Sequence, residues 1–411
     1  MMQILYLIAM YGPRYLGNII HQELGHEFQA HGHTIQVFAL SSAQERGHQP
    51  ADTIESDIAV HRALTAGTFA SNLANRLVKP IFHYERFGMG WWTLRNFLTQ
   101  HPTIDLILAE GAYPFGALAA LASKRQKLVI TVAGGDFINS RATQYGYGRF
   151  RTARTLMRYA FQRAAAIRVT TPLVQDQILA LGAAPEKIVR VPRNIAAHCF
   201  APSTIPLQEF RAQARRALTG KYNVGNAHII VAAGRLLPIK GFDLLIRGLA
   251  QVQTQAGETR LLLVGPNRID PKYGDYQKYL EQLAHTSGVH DKIIFTGAIP
   301  HDEMPQILAA ADVIAVPSIL EGMNKIVVEG AAVGTPSIVT RTAGIADLMA
   351  EADIGTIVEP NNPEAFAACI AALLNAPERC TEMRARARIW AEQFSARVVG
   401  TQLVNLCERV V

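Results

Sequence analysis

Short apolar runs alternate with longer amphipathic stretches along the first half of the chain. The runs are four to six residues long and predict buried strands at residues 4–9, 34–39, 106–109, 129–132, 167–170 and 188–191. Helical periodicity at residues 16–31 and 115–123 fits between them. Strand, helix and strand at this spacing predict an α/β unit with a parallel sheet covered on both faces.

The same alternation begins again after residue 226. Further strands are predicted at residues 229–232, 261–264, 293–295, 313–316, 337–340 and 355–358. Residues 195–226 hold prolines and glycines around an Arg-rich helix, which is typical of a junction between domains. The pattern therefore predicts two doubly wound domains, residues 1–195 and 200–394, facing each other across a cleft. Ligands of such sheets bind outside the carboxyl ends of the strands.

Composition narrows the classes of protein. The 411 residues are 49% hydrophobic and 18% charged, as in an ordinary globular enzyme, and the formal net charge is +7. A basic balance attracts phosphates, whether of nucleic acid, anionic lipid or a nucleotide sugar. No recognised nucleic-acid module is present, so we expect no nucleic-acid partner.

Cysteine usage and hydropathy bear on compartment and on metal binding. The four cysteines have no CxxC pair and no histidine cluster nearby: Cys199, Cys369, Cys380 and Cys407. This distribution predicts neither a disulfide framework nor a zinc site. No stretch reaches the roughly 18–20 apolar residues that span a bilayer, so we expect a soluble, cytoplasmic protein.

The residues that carry chemistry follow predicted strands of the second half. Gly234-Arg235 and Lys240 follow the first of them, where glycine permits close backbone approach and two cations suit a diphosphate. Gly265 and Gly297 end the next two strands. Each of these segments alone could also be an ordinary surface turn.

The segment after strand 313–316 is the most informative. It places Glu321 and Glu329 eight positions apart, around a glycine turn and the start of a helix near Asn324. A helix N-terminus offers unpaired N–H groups to an anion. Glu329 lies among apolar residues, which is unusual for an exposed helix and favours a binding role over a capping pair.

These segments resemble the retaining family-4 glycosyltransferases of the GT-B fold. The family's E-x7-E motif is matched by Glu321 and Glu329, and its G-R-L…K-G segment by Gly234-Arg235-Leu236 and Lys240-Gly241. Further matches, in the family's order, are the Y-P-x-G turn at 113–116 and the G-x-P turn at 334–336. Residues 182–192 resemble the family's G-x-x-x-x-K-I-x-V-x-P segment, with Arg190 at the position of its Val.

The resemblance implies two Rossmann-like domains, with a final helix at 395–411 crossing back to the first. It implies transfer of a sugar from a UDP- or GDP-sugar to an acceptor hydroxyl, with retention by front-face displacement and with neither metal nor cofactor. Cell-surface polysaccharide or glycolipid synthesis is the implied setting. The catalytic residues would be Glu321, Arg235, Lys240 and Asp136.

Binding roles follow from the same resemblance. The donor-binding residues would be Gly234, Arg235, Lys240, Gly265, Gly297, Glu321, Gly322, Met323, Asn324, Lys325, Ile326 and Glu329. Loop residues on the acceptor side would be Gly17, Asn18, Gly134 and Gly135.

The chain departs from the family's pattern at several positions. Ala133 stands where the family commonly has His or Arg, Gly17-Asn18 replaces Gly-Gly, and Met323-Asn324 replaces an aromatic-Gly pair. Because of Ala133, a catalytically weak binding or regulatory protein on the same scaffold stays an alternative, as does a sugar-nucleotide epimerase. A Rossmann dehydrogenase is disfavoured, since no G-x-G-x-x-G follows the first strand.

Basic and aromatic residues cluster in two segments of the first domain, 76–97 and 146–168. They predict either contact with anionic lipid at the inner membrane face, which would bring the enzyme to a lipid-linked acceptor, or ordinary core aromatics with solvated arginines.

Overall fold

The computed structural model describes residues 1–11, 18–42, 45, 50–132, 134–202 and 204–411. The chain divides into two compact units. Met1–Asn194 and Ala396–Val411 form the first unit, and Ile195–Ser395 forms the second. Each unit is built around its own sheet with helices between the strands, which confirms the predicted α/β class.

Among the described residues, the first unit contains an eight-stranded sheet. Its strands are β1 Gln3–Ile8, β2 Thr34–Ser42, β3 Asp52–Glu55, β4 Ile58–Ala66, β5 Leu106–Glu110, β6 Lys127–Val132, β7 Ala166–Val169 and β8 Ile188–Arg190. Their order across the sheet is β3-β4-β2-β1-β5-β6-β7-β8. The chain progression reverses between β1 and β5, and this switch point is where a doubly wound sheet binds ligands.

The hairpin of β3 and β4 is absent from the sequence prediction and makes the sheet mixed, because β3 runs antiparallel. The apolar pattern of β4 is interrupted by Arg62, which is nevertheless buried. The Arg62 guanidinium pairs with Glu55 and donates to Thr53 Oγ1 at 2.6 Å. The sequence pattern therefore misses this strand, because a charged residue can be buried when it is fully paired.

Among the described residues, six helices of the first unit precede the second unit along the chain. They are α1 Ile19–Ala30, α2 Phe69–Phe82, α3 Phe87–Gln100, α4 Ala117–Ala122, α5 Arg151–Arg163 and α6 Pro172–Ala180. The predicted helix at 115–123 begins only at Ala117, because a single π-helical turn occupies Ala112–Gly116. The start predicted at residue 16 for α1 lies outside the described residues.

The second unit contains a six-stranded parallel sheet and a small hairpin. The sheet strands are β9 His228–Ala233, β10 Thr259–Val264, β13 Ile293–Gly297, β14 Val313–Val316, β15 Ser337–Thr340 and β16 Gly355–Val358, and the hairpin is β11 Ile269–Asp270 with β12 Gly274–Asp275. The sheet order is β13-β10-β9-β14-β15-β16. This is the doubly wound order, with its switch point between β9 and β14.

In the part of this unit that the structure describes, eight further helices cover the sheet. They are α7 Leu207–Tyr222, α8 Phe242–Ala256, α9 Tyr276–Thr286, α10 Met304–Ala310, α11 Lys325–Ala332, α12 Ala346–Glu351, α13 Pro363–Leu374 and α14 Pro377–Ala391. The Arg-rich helix of the predicted junction is α7, and it belongs to the second unit. Its Arg211 donates to Thr335 Oγ1 at 2.6 Å and to the Ala311 carbonyl at 2.8 Å.

The last helix, α15 Ala396–Glu408, packs in the first unit, as the family resemblance implies. Its Leu403 shares a core with Leu24 and Phe28 of α1. Glu408 Oε1 lies 3.0 Å from His33 Nε2. No helix in the described part of the chain has the length and apolarity required to cross a bilayer.

Candidate functional site

Three glycines lie at the carboxyl edge of neighbouring strands in the second unit. Gly234 follows β9, Gly265 follows β10, and Gly297 ends β13. The Gly234 N–H donates to the Val264 carbonyl at 2.8 Å, and the Gly265 N–H donates to the Gly297 carbonyl at 2.9 Å. Their backbones are therefore tied to one another just beyond the strand ends, on one side of the switch point.

Gly265 cannot be replaced without moving this edge. Its φ is +143°, and a Cβ there would lie 2.0 Å from the Gly234 carbonyl oxygen. The Lys240 side chain runs past Gly234, where a Cβ would meet Lys240 Cε at 3.1 Å. The glycines thus leave space for the lysine and expose backbone at the sheet edge.

Lys240 and Glu321 meet across the switch point. Lys240 ends a 3₁₀ turn after β9, whereas Glu321 follows β14. Lys240 Nζ lies 2.7 Å from Glu321 Oε1 and 2.6 Å from Oε2. The sequence predicts both as donor-site residues, and the structure brings them into direct contact.

Two further polar side chains hold the Glu321 carboxylate. Asn324 Nδ2 donates to Glu321 Oε2 at 2.8 Å, and Ser318 Oγ donates to the same oxygen at 3.1 Å. The Ser318 carbonyl accepts hydrogen bonds from Thr340 Oγ1 and Thr342 Oγ1 at the end of β15. The carboxylate is thus fixed in position by the strand ends around it.

The start of α11 faces the same loop. The Asn324 side chain does not cap this helix, since its amide donates to Glu321 instead. Asn324 is buried, and among the described residues its Oδ1 has no hydrogen-bond partner. Gly322 and Met323 are also buried, while Lys325 and Ile326 are half-buried. The helix end and an unsatisfied amide oxygen together suit a polar ligand.

Glu329 lies one turn further along α11 and is buried. Its Oε1 lies 3.3 Å from His301 Nε2 and 4.0 Å from Lys325 Nζ. Burial by itself raises the pKa of Glu329, but the His301 hydrogen bond and the Lys325 charge outweigh it and hold the pKa below its usual value. Sequence reasoning missed His301, because nothing in the turn after β13 distinguishes that histidine from a surface one.

Arg235 is the remaining predicted cation of this edge. It follows Gly234 directly and its side chain is exposed. The structure therefore gathers Lys240, Glu321 and Asn324 into one cluster, and it places Glu329 beside His301 and Lys325.

The switch point of the first unit carries a polar cluster that sequence reasoning also missed. Tyr6 Oη lies 2.6 Å from His21 Nδ1 and donates to Glu110 Oε2 at 3.1 Å. Glu110 Oε1 pairs with Arg193, and burial lowers the pKa of Arg193. The acid at the end of the apolar run 106–109 was the available signal, since a charge at a strand end of a parallel sheet marks a ligand edge.

Asn18 lies beside this cluster at the start of α1. It is buried, it makes no side-chain capping bond, and neither end of its amide has a partner among the described residues. Asn194 Nδ2 donates to the Ile20 carbonyl at 3.2 Å, and its Oδ1 has no described partner. Gly17, the other predicted residue of this loop, lies outside the described residues.

Asp136 is buried in the loop after β6. Its Oδ2 accepts from the Ala112 N–H at 2.6 Å and its Oδ1 from the Gly134 N–H at 3.1 Å. Burial raises the pKa of Asp136 to about 6, although these backbone hydrogen bonds lower it. The carboxylate thus positions the loop that holds Gly134 and Gly135, and its catalytic role stays a prediction. Ala133 lies outside the described residues.

Both halves of the chain match models of glycosyltransferase domains. Residues 19–194 match the glycosyl transferase 4-like domain, and residues 216–390 match glycosyl transferases group 1. The chain is 26% identical, over 323 residues, to a GDP-mannose-dependent alpha-(1-6)-phosphatidylinositol monomannoside mannosyltransferase of Mycolicibacterium smegmatis. That match covers 76% of this chain and 78% of the relative.

Solved structures share the fold over the full length. Sucrose-phosphate synthase from Thermosynechococcus elongatus superposes with a TM-score of 0.79 at 19% identity, covering 100% of this chain and 99% of that one. Anabaena HepE in complex with UDP-glucose gives a TM-score of 0.72 at 20% identity and 100% coverage of both chains. With one domain model matched in each unit and this fold shared throughout, the chain belongs to the family-4 glycosyltransferases of the GT-B type.

Proposed function

We propose that this enzyme transfers a hexose from a UDP- or GDP-sugar to a hydroxyl of a sugar or lipid-linked acceptor, with retention and without a metal. The observation that carries the proposal is the Lys240–Glu321 pair at the switch point of the second sheet. A fixed cation beside a fixed carboxylate matches a donor that combines a diphosphate with a hydroxyl-rich sugar.

The diphosphate site rests on three features of one edge. Lys240 supplies a positive charge, the start of α11 supplies N–H groups, and Gly234 and Gly265 expose backbone. Departure of the nucleoside diphosphate builds negative charge on its phosphates. Preorganised cations and N–H groups stabilise that charge without reorganisation at the moment of reaction.

Donor binding exchanges partners at Lys240. Without donor, the ammonium is neutralised by Glu321. A diphosphate at this edge attracts the ammonium, and the freed Glu321 oxygens then accept hydrogen bonds from sugar hydroxyls. Asn324 and Ser318 keep the carboxylate in place during this exchange.

Glu329 is proposed to hold the ribose. It is a buried carboxylate kept ionised by its neighbours, and an ionised carboxylate accepts hydrogen bonds from two hydroxyls. The base is left open between uracil and guanine. The mannosyltransferase relative uses GDP-mannose, whereas HepE was solved with UDP-glucose.

The acceptor is assigned to the polar cluster of the first unit. Asn18 has a buried amide with no described partner, and Arg193 is a half-buried cation that pairs with Glu110. An unsatisfied buried amide such as that of Asn18 is explained by a ligand that completes its hydrogen bonds. The mannosyltransferase relative acts on a phosphatidylinositol monomannoside, which fits a polar, phosphate-bearing acceptor.

A lipid-linked acceptor is supported by the surface of α2. Four apolar residues of this helix, spaced four apart, are exposed. The exposed fractions are 87% for Phe69, 51% for Leu73, 69% for Leu77 and 55% for Ile81. The helix contains Arg76 and Lys79 and no acid. We propose that this stripe rests on an anionic membrane surface.

The second basic segment, α5, has a different arrangement. Its apolar residues Met157 and Phe161 are buried in the protein, and Arg154 and Arg158 donate to the Gly148 and Leu181 carbonyls. Membrane contact is therefore assigned to α2 rather than to α5.

A ligand screen tests the donor proposal. Thermal unfolding is measured with UDP, GDP, ADP and their sugar conjugates, first in EDTA and then with Mg²⁺. A ligand at 100 times its dissociation constant adds about 2.7 kcal/mol to the free energy of unfolding. A shift with one uridine or guanosine series, equal in EDTA, supports the proposal. Absence of any shift, or a shift that requires Mg²⁺, contradicts it.

Product analysis tests the stereochemistry. The sugar conjugate that binds is incubated with candidate glycolipid acceptors, and the anomeric proton of the first product is followed by NMR. The donor's configuration in that product supports retention. An inverted product, or isomerised donor without transfer, would overturn the assignment.

A further inference from the structure

Two histidines and a cysteine of the second unit converge on one point. His198 and Cys199 lie in a 3₁₀ turn that begins at Ala197, and His301 lies in the turn after β13. The ligand atoms of the three side chains lie within 4.8 Å of one another. His198 and Cys199 are about a hundred positions from His301 in the sequence, so no short sequence motif indicates the cluster.

The two imidazoles already face each other through nitrogen. His198 Nε2 lies 2.8 Å from His301 Nδ1, a hydrogen-bond distance at which the two rings share one proton. A metal ion is an alternative to that proton, since it binds the same two lone pairs. The rings cross at 89°, so each nitrogen can point at a common position between them.

The donor set selects the metal. Two imidazole nitrogens and one thiolate are ligands of Zn²⁺ and of other borderline or soft ions, and not of Mg²⁺ or Ca²⁺. Bond lengths of about 2.0–2.3 Å place tetrahedral ligand atoms about 3.3–3.6 Å apart. The imidazole nitrogens, 2.8 Å apart, reach that geometry by opening by about half an ångström, and the thiol already lies within 4.8 Å of both.

An orienting carboxylate is already in place behind one imidazole. His301 Nε2, the nitrogen not facing His198, lies 3.3 Å from Glu329 Oε1. Histidine ligands of zinc commonly donate their second N–H to a carboxylate in this way, which fixes the tautomer and aims the free nitrogen at the metal. A chance contact of histidines would not require such a partner.

Access from solvent is available. Cys199 is buried at 1% exposure, while His198 and His301 are half-buried. The thiol therefore forms the inner wall of the site and the imidazoles its outer wall. A fourth ligand, such as water, would enter from the imidazole side.

We propose that His198, Cys199 and His301 form a binding site for Zn²⁺, with Glu329 as the carboxylate that orients His301. The site is distinct from the Lys240–Glu321 pair, although Glu329 is also the carboxylate proposed to hold the ribose, and the metal supplies no step of sugar transfer. It rests on the geometry of these four residues and not on the proposed function.

Metal binding is tested on the whole chain after treatment with EDTA and removal of the chelator. Co²⁺ is titrated in as an optical probe, and Zn²⁺ is titrated by calorimetry. One Co²⁺ per chain is expected, with a thiolate-to-metal charge-transfer band in the near ultraviolet and the strong visible bands of a tetrahedral site. Zn²⁺ should displace the cobalt and abolish the colour.

Variants assign the ligands. Cys199→Ala should abolish the charge-transfer band, and His198→Gln and Glu329→Gln should each weaken Zn²⁺ binding by about tenfold or more. Cys369→Ala and His31→Gln, which remove a thiol and an imidazole elsewhere, should leave affinity and spectrum unchanged. Circular dichroism shows whether each variant folds. If the buried Cys199→Ala variant does not fold, the half-buried His198→Gln variant still tests the site.

The proposal is overturned if Co²⁺ binds without a charge-transfer band. It is equally overturned if His198→Gln binds Zn²⁺ as tightly as the parent chain, or if Cys369→Ala removes the band. Loss of donor binding in the nucleotide screen would not affect these outcomes, because they are read from the metal alone.

Discussion

Lys240 Nζ contacts both carboxylate oxygens of Glu321, at 2.7 and 2.6 Å, across the switch point of the second sheet. The two residues are 81 positions apart and come from loops after different strands. Both side chains are largely buried, with 16% and 24% exposure. The pair therefore holds the proposed diphosphate-binding cation in place before any donor arrives.

Substitutions of the two members of this pair should have different effects on turnover and on nucleotide binding. Lys240→Met should lower kcat/KM by about 10²–10³-fold, as for loss of one group that stabilises transition-state charge. Glu321→Gln should also lower turnover, yet it should tighten binding of the free nucleoside diphosphate several-fold, because Lys240 is no longer neutralised. Steady-state kinetics and calorimetry with the diphosphate measure both effects.

The matched control for the lysine is Lys221→Met. Lys221 also pairs with a glutamate, Glu303 at 3.4 Å, but on an exposed surface. It should leave both measurements unchanged. Equal losses of activity in Lys221→Met and Lys240→Met would contradict the site assignment.

Removal of the Asn18 side chain should separate function from stability. The buried Asn18 amide has no partner among the residues that the structure describes, and such a group costs about 1–3 kcal/mol, so Asn18→Ala should leave the free energy of unfolding unchanged or raise it. The same variant should lower kcat/KM for the acceptor by about tenfold or more, because one buried ligand contact is lost. Asn75→Ala is the control, since Asn75 Nδ2 donates to the Thr65 carbonyl at 2.9 Å and its loss should destabilise the fold. A destabilised Asn18→Ala with normal acceptor kinetics would assign Asn18 a structural role.

Asp136 should make stability depend on pH between about 4 and 6. Its pKa rises from 3.8 to about 6 on folding, so the folded chain binds the proton more tightly than the unfolded chain does. Its contribution to the free energy of unfolding is therefore largest below pH 4 and falls as pH rises through 6. The difference in stability between the parent chain and Asp136→Asn isolates this term from other titrating groups. A difference that is flat, or that grows with pH, would show that the carboxyl is not destabilised by burial.

Gly265→Ala should disrupt the edge of the second sheet. The added Cβ would lie 2.0 Å from the Gly234 carbonyl, so the backbone must shift, at a cost of about 3 kcal/mol or more. Gly220→Ala is the matched control, since a Cβ there has open space inside helix α7 and should be neutral or stabilise by up to about 1 kcal/mol. Thermal unfolding and nucleotide binding report both variants. Unchanged nucleotide binding in a folded Gly265→Ala would remove this edge from the donor site.

Vesicle binding should depend on the exposed stripe of α2. The parent chain is expected to float with liposomes rich in anionic lipid. The double variant Leu73→Asp, Leu77→Asp should not float with them, because two acids replace two apolar contacts with the membrane. Ile389→Asp, at a residue 74% exposed on α14, is the control and should bind like the parent. Equal retention of all three proteins would exclude α2 as the membrane surface.

The sequence predicts much of the fold because its strands are continuous apolar runs. All six strands of the second sheet and six of the first were placed from such runs. The hairpin of β3 and β4 was not predicted. Arg62 is buried there and paired with Glu55, and a hydropathy pattern does not show which charged residues have partners. The first strand predicted at 4–9 is shifted by one residue from Gln3–Ile8, since strand ends are set by pairing with neighbours.

Contacts between distant segments are the part that the sequence does not predict. Glu321 and Glu329 stand out by their spacing, and Lys240 by its motif, yet the ion pair between Lys240 and Glu321 depends on strand order. His33 shows no carboxylate partner in the sequence, and the fold gives it Glu408 from the last helix. His301 reaches Glu329 and His198 for the same reason: the topology, rather than local pattern, brings them together.

The interlocked backbones of Gly234 and Gly265 limit how the enzyme's sugar preference can be re-engineered. A side chain at Gly265 would collide with the Gly234 carbonyl, so mutational libraries directed there should return destabilised protein rather than new specificity. Changes in sugar preference should instead come from substitutions in the loops after the strands, at residues such as Arg235 and Met323. Directed evolution of this scaffold should therefore hold the strand-end glycines constant and vary the residues that follow them.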